Sequence, residues 1–140
     1  SWPSLFRGFR PWRGLKDVLC RLNVRGLRLG LISDYPMDAK ISALGLDDVP
    51  FACRVVTSEV GALKPHPAAF LKAAELLKLE PACILHIGDR EDHDVAGALA
   101  AGMRAALFCP GKHSGTSRAG FVFRSWKNLE RELEKIGWLP

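Results

Sequence analysis

One stretch constrains the fold more than any other: CILHIGDREDHDVAGALAAGM, residues 83–103. Residues 83–87 form a short apolar run, the pattern of a strand buried on both faces. Gly88 ends the run, Asp89 follows at once, and Asp94 stands five residues further on. From Asp94 the pattern turns helical and small, with Gly97 and the alanines allowing a helix to pack closely on a sheet. Two carboxylates therefore leave the carboxyl end of a predicted parallel strand, the edge at which open α/β sheets bind ligands. An acidic pair on such a turn suits a hard, oxygen-seeking cation such as Mg²⁺. The competing account makes Asp94 a helix N-cap and Asp89 a solvated loop residue. Residues elsewhere in the chain bear on that choice.

At 140 residues, 48% of them hydrophobic, the chain is sized for one globular domain. No apolar run approaches the ~20 residues that span a bilayer, so no membrane partner is expected. Arg7, Arg10 and Arg13 interrupt the opening stretch, which rules against a signal-peptide pattern. The net charge of +5 is spread along the chain, with some clustering in the first 30 residues and no basic run interleaved with aromatics. A nucleic-acid partner is therefore not expected. The basic balance suits a small phosphorylated metabolite. Cys20, Cys53, Cys83 and Cys109 form no CxxC pair, and three lie in or beside apolar runs. Buried, reduced thiols and a cytoplasmic location are the expectation. Cys83 and His86 mimic half a zinc site, but residues three apart on a strand face opposite ways.

Taken in order, residues 1–12 are rich in Pro, Arg and aromatics without a period, and are predicted to be a linker segment. Leu15, Val18, Leu19 and Leu22 then make the i, i+3, i+4, i+7 stripe of an amphipathic helix over 14–23. Residues 27–32 are predicted as a strand that delivers Ser33 and Asp34 to a sharp exit. A short helix over 37–44, a strand over 54–57 and a loop over 58–64 follow. Pro65 and Pro67 open a helix to about residue 79, since Pro is tolerated in a first helical turn. After the organising unit come a strand over 104–109 and a flexible loop over 110–120, PGKHSGTSRAG. Gly111 and Lys112 in that loop lack the glycine spacing of a P-loop. A short strand over 121–123 and a helix capped by Ser125, with Trp126, Leu129, Leu133 and Ile136 on one face, complete the chain. Strands alternating with helices in a single domain over 1–140 predict an α/β fold, a Rossmann-like doubly wound parallel sheet with flanking helices.

In such a sheet the strand ends converge on one edge, bringing Ser33, Lys64, Asp89 and Asp94 together. A hydroxyl with neighbouring N–H groups can bond phosphate oxygens, a lysine supplies compact positive charge, and carboxylates hold Mg²⁺. This order and spacing resemble the haloacid dehalogenase superfamily over about residues 9–108. LISDYP resembles its second motif, a hydrophobic strand ending in Ser or Thr. GALKPHPAAF resembles the third, a lysine before proline and a helix. HIGDREDHDVAGALAAGM is similar to the fourth, GDxxxxD followed by a glycine- and alanine-rich helix. The resemblance implies that Ser33 and the Asp34 N–H bind the transferring phosphoryl group. It implies that Lys64 steadies phosphate and nucleophile, and that Asp89 ligates Mg²⁺ directly. Asp94 would support the metal or Lys64 from behind. The implied activity is a Mg²⁺-dependent phosphatase that acts on a small phosphate ester through an aspartyl-phosphate. A noncatalytic binding or interaction module is the alternative, with a phosphomutase or dehalogenase on the same scaffold less favoured.

The family's first motif, DxDx(T/V), carries the aspartate nucleophile on the central strand, and no DxD precedes Ser33. The sequence therefore leads to the expectation of an N-terminally incomplete core, lacking its central first strand and its cap and inactive as this chain alone. With the family's strand order 3-2-1-4-5, the strands over 27–32 and 83–87 would then face each other across about 9.6 Å, two strand spacings.

Overall fold

The structure, a computed structural model, describes residues 13–113 and 115–139. The predicted linker over 1–12 lies outside the described residues. Helix α1 (Leu15–Val24) buries Leu15, Val18 and Leu22, the predicted stripe. Strand β1 (Leu29–Ser33) pairs in parallel with β2 (Phe51–Val56). β2 begins earlier than the sequence suggests because Phe51 and Cys53 take ladder positions opposite Leu29 and Gly30. That pairing is set by the partner strand, not by local pattern. Helix α2 (Asp38–Ala43) connects the two strands and buries Ile41.

A 3₁₀ turn (Thr57–Val60) after β2 leads to Lys64, whose bond to Pro65 is cis. Helix α3 (Ala68–Leu77) buries Ala69, Phe70, Ala73, Ala74 and Leu77. It stops at Lys78, which takes the left-handed conformation at φ 56°. The organising strand, β3 (Leu85–Gly88), starts later than its apolar run. A 3₁₀ turn (Pro81–Cys83) closed by Cys83 N–H to Glu80 O and Ile84 N–H to Pro81 O keeps the chain off the ladder until then. Cys83 is consequently an exposed turn residue, and the expectation of a strand from residue 83 is corrected.

One turn of π-helix (Glu91–Val95) precedes α4 (Ala96–Ala100). Strands β4 (Arg104–Phe108) and β5 (Phe121–Phe123) extend β3 in parallel. Ser125 Oγ accepts the Lys127 N–H at 3.3 Å, opening a 3₁₀ turn (Trp126–Asn128) and α5 (Leu129–Lys135).

The described strands form two parallel sheets, β1-β2 and β3-β4-β5. β1 and β3 do not pair with each other. A cavity of about 410 Å³ lies between them, lined by Leu29, Leu31 and Ile32 on one side and Leu85, His86 and Ile87 on the other. Leu85 and Ile87 pack into an apolar cluster with α1 and α5, while Ile84 packs with Phe70 and Val95 on the opposite face. Strand alternation sends His86 and Gly88 to that second face.

Candidate active site

Asp94 is the buried centre of the site, with its side chain 4% exposed. Its Oδ1 accepts Lys64 Nζ at 2.7 Å and lies 3.1 Å from His86 Nε2. Its Oδ2 accepts the Arg90 N–H at 3.2 Å. The π turn is what aims it there: both Asp94 N–H and Val95 N–H donate to Arg90 O, at 2.8 and 3.2 Å. Such wide turns recur at functional sites because they re-aim a side chain without ending the helix. Gly88 leaves room for the result, since a Cβ at Gly88 would overlap the Asp94 carboxylate.

Burial alone would raise the Asp94 carboxyl, but hydrogen bonds from His86 and Lys64, with the Lys64 charge, hold it well below the usual carboxylate range. Asp94 is thus ionised and can only accept, so its contact with His86 places the ring proton on Nε2.

Around this centre stand the other predicted residues. Ser33 is buried at the end of β1, where its Oγ accepts the Tyr35 N–H at 3.1 Å. Its own O–H remains able to donate. Asp34 contributes more than its N–H. Its Oδ1 accepts the Thr57 hydroxyl at 2.7 Å and the Lys64 N–H at 3.5 Å, bracing the loop that carries Lys64. Asp89 is exposed, and its carboxylate forms no hydrogen bond or ion pair with the described residues. The arrangement joins both sheets, with Lys64 from the β2 side reaching Asp94 beyond β3.

Lys40, Thr57 and His86 also belong to the site; sequence reasoning missed Lys40 and Thr57 and considered His86 only as half of a zinc pair with Cys83. Lys40 is half-buried on α2. Burial first and the Lys64 charge second lower its pKa, while Asp89, Asp94 and Asp34 oppose them, so all four groups lie within its electrostatic reach. Its signal was spacing: Lys40 follows Met37 by three and shares the inward face with Ile41. Among the described residues, no group of three or more His, Cys, Asp or Glu side chains could hold a metal ion. A Mg²⁺ site here would rest on Asp89, with waters and a phosphate completing the shell, which is how this ion is commonly held. The free, exposed Asp89 carboxylate fits that role. Asp94, with both oxygens engaged, fits the alternative role of holding Lys64.

Residues 5–102 match the haloacid dehalogenase-like hydrolase family. Over 110 residues the chain is 37% identical to a glyceraldehyde 3-phosphate phosphatase of Pyrococcus abyssi, covering 76% of this chain and 46% of that protein. A crystal structure of a HAD phosphatase from Thermococcus onnurineus superposes with a TM-score of 0.80 at 29% identity, over 87% of this chain and 57% of the other. A HAD family hydrolase from Deinococcus radiodurans, crystallised with bound phosphate and sodium, superposes at 0.78 and 25% identity, over 91% of this chain and 60% of the other. The chain thus spans about half the length of the curated relatives it matches.

These superpositions correct one expectation. The missing DxD motif leads to the expectation of a core lacking its central first strand and cap. Yet 87–91% of the chain lies on HAD structures at TM-scores of 0.78–0.80, so its fold is that of the Rossmann-like HAD core. A motif is a local signature of a few residues, whereas the fold is fixed by the packing of whole strand–helix units.

Proposed function

Because the chain belongs to the haloacid dehalogenase-like hydrolases, we propose that its site handles the phosphoryl group of a small phosphate ester in a Mg²⁺-dependent phosphatase. The observation that carries this reading is the Lys64 ammonium, held at 2.7 Å by a buried, ionised Asp94 beside the end of β3. A lysine so anchored points its ammonium at one place, which suits a dianionic phosphate. The relatives agree in chemistry: one is a glyceraldehyde 3-phosphate phosphatase by name, and one was crystallised with bound phosphate and sodium.

In this reading the Ser33 hydroxyl and the Asp34 N–H bond the phosphoryl oxygens. Lys64 neutralises the charge that gathers there, and Asp94 fixes where Lys64 points. Asp89 would hold Mg²⁺, which when bound supplies further charge neutralisation. Phosphoryl transfer gains mainly from such positioning and charge, whether the group passes through an aspartyl-phosphate or not. Lys40 adds positive potential at the same edge.

Hydrolysis of p-nitrophenyl phosphate against Mg²⁺ concentration tests the assignment. Asp89→Asn should abolish most of the metal-dependent rate, and Lys64→Ala should lower kcat sharply. Lys64→Arg should rescue poorly, because a planar fork replaces a point charge. Undiminished, Mg²⁺-dependent turnover in Asp89→Asn would sink the metal role.

A further inference from the structure

His86 is the one ring on the inner face of β3, and it does not sit there as a passive core residue. Its Nε2 lies 3.1 Å from Asp94 Oδ1, the same oxygen that accepts Lys64 Nζ at 2.7 Å. Its ring stands edge-on to Phe70, with centroids 4.8 Å apart and planes at 85°. Phe70 is fully buried and packed against α4 at Gly97. The ring is thereby fixed from one side by an aromatic wall and from the other by the carboxylate. Arg90 N–H holds Oδ2 at 3.2 Å, so the Asp94 carboxylate is clamped at both oxygens before Lys64 is counted.

We infer that His86 is a positioning residue for Lys64: its Nε2–H donates to Asp94 Oδ1 and fixes the carboxylate against which the Lys64 ammonium is aimed. This rests on the phosphoryl-handling role proposed for Lys64. Without the His86 donor, Oδ1 keeps only the lysine. The Arg90 N–H still holds Oδ2, but nothing except the lysine itself then fixes Oδ1, and Lys64 loses a fixed target. The ring touches neither phosphate nor metal in this scheme and acts only through Asp94. Val or Leu at this position would fill the same apolar face, so the hydrogen bond is what a histidine adds.

The substitutions His86→Leu and His86→Gln separate packing from donation, because Gln can place an N–H near the Nε2 position and Leu cannot. For p-nitrophenyl phosphate with saturating Mg²⁺, His86→Leu should lower kcat by about 10-fold or more, the range seen when a supporting partner of a site residue is lost. KM should change much less. His86→Gln should recover most of the lost kcat. Two readouts need no turnover. Long-range ¹H–¹⁵N correlation of the unsubstituted protein should show the His86 proton on Nε2. Crystal structures should keep Lys64 Nζ within hydrogen-bond reach of Asp94 Oδ1 in His86→Gln and not in His86→Leu. A bare Nε2, a His86→Leu enzyme within twofold of the unsubstituted rate, or equal losses in both variants would each overturn the inference. If His86→Leu fails to fold, the tautomer and the Gln variant still decide it. If the unsubstituted protein hydrolyses no phosphate ester, the functional reading falls, while the ring proton and the Lys64–Asp94 contact still judge His86.

Discussion

Gly88 has no side chain because the Asp94 carboxylate occupies the space a Cβ would take. Gly88→Ala should therefore displace Asp94 and release Lys64, lowering phosphate-ester turnover while leaving the β3-β4 pairing intact. A Gly88→Ala protein with full activity and an unmoved Asp94 in its crystal structure would contradict this. A second residue-scale expectation comes from the depressed carboxyl of Asp94. A group whose folded pKa is lowered adds stability that is present above its unfolded pKa, about 3.9 for Asp, and is lost as pH falls below it. Urea midpoints followed from about pH 4 to about pH 2 should therefore draw together for the unsubstituted protein and Asp94→Asn as acid is added. A constant difference across that range would mean that Asp94 is not ionised against Lys64 and His86. Chain order and sheet topology point to Ser33, Lys64, Asp89 and Asp94 as polar residues near strand ends, and of these the structure joins Lys64 directly to Asp94. The sharing of one Asp94 oxygen by Lys64 and His86 was not legible in the sequence. It depends on the π turn, and nothing in residues 91–95 distinguishes that wider turn from an ordinary helix start.

At the scale of elements, strand and helix existence followed from periodicity, while boundaries followed from partners. α1 and β5 fall where the pattern puts them to within a residue. β2 and β3 shift because ladder pairing and the turn at Pro81 decide where extended backbone is useful. The glycines and serines of the loop over 110–120 predict flexibility, while Ser117 Oγ and the Arg118 N–H both donate to the Glu91 carboxylate beside the site. Composition cannot reveal such a tether, because Glu91 is more than 25 residues away in sequence. The contact of α3 with α4 is similarly long-range. A Cβ at Gly97 would meet the Phe70 ring, with Cζ at 2.8 Å and the Pro65 carbonyl oxygen at 3.2 Å. Gly97→Ala should destabilise the protein by about 1–3 kcal/mol, the usual range for overpacking. Because Pro65 follows Lys64 and Phe70 holds His86, turnover should fall as well. Phe70→Leu in the same chain should relieve part of the stability loss. Chemical denaturation of the single and double variants measures the coupling, and strict additivity would show that the two residues do not press on each other.

At the scale of the molecule, the buried apolar groups of the described residues collect in three clusters, and the two sheets meet across the cavity of about 410 Å³. Its walls are mostly leucine and isoleucine side chains, those of β1 and β3 among them, and aliphatic walls of this kind do not hold ordered water well. A cavity of this size is larger than the engineered apolar cavity of about 150 Å³ that admits benzene. The 140-residue chain should therefore bind a hydrophobic fluorophore such as anilinonaphthalene sulfonate in native buffer. Dye binding by itself does not distinguish a formed cavity from a loosened core. A molten globule also binds the dye but loses its near-ultraviolet circular dichroism, whereas here the Phe108, Phe123 and Trp126 rings pack at centroid distances of 4.8–5.3 Å. The expected signature is dye fluorescence together with a retained near-ultraviolet spectrum. Replacing Ile87 by Trp, which projects bulk from β3 into the cavity, should reduce the fluorescence without abolishing that spectrum. Native near-ultraviolet dichroism with no dye enhancement would mean that β1 and β3 close upon each other in solution, and that the opening between the sheets is not part of the folded state.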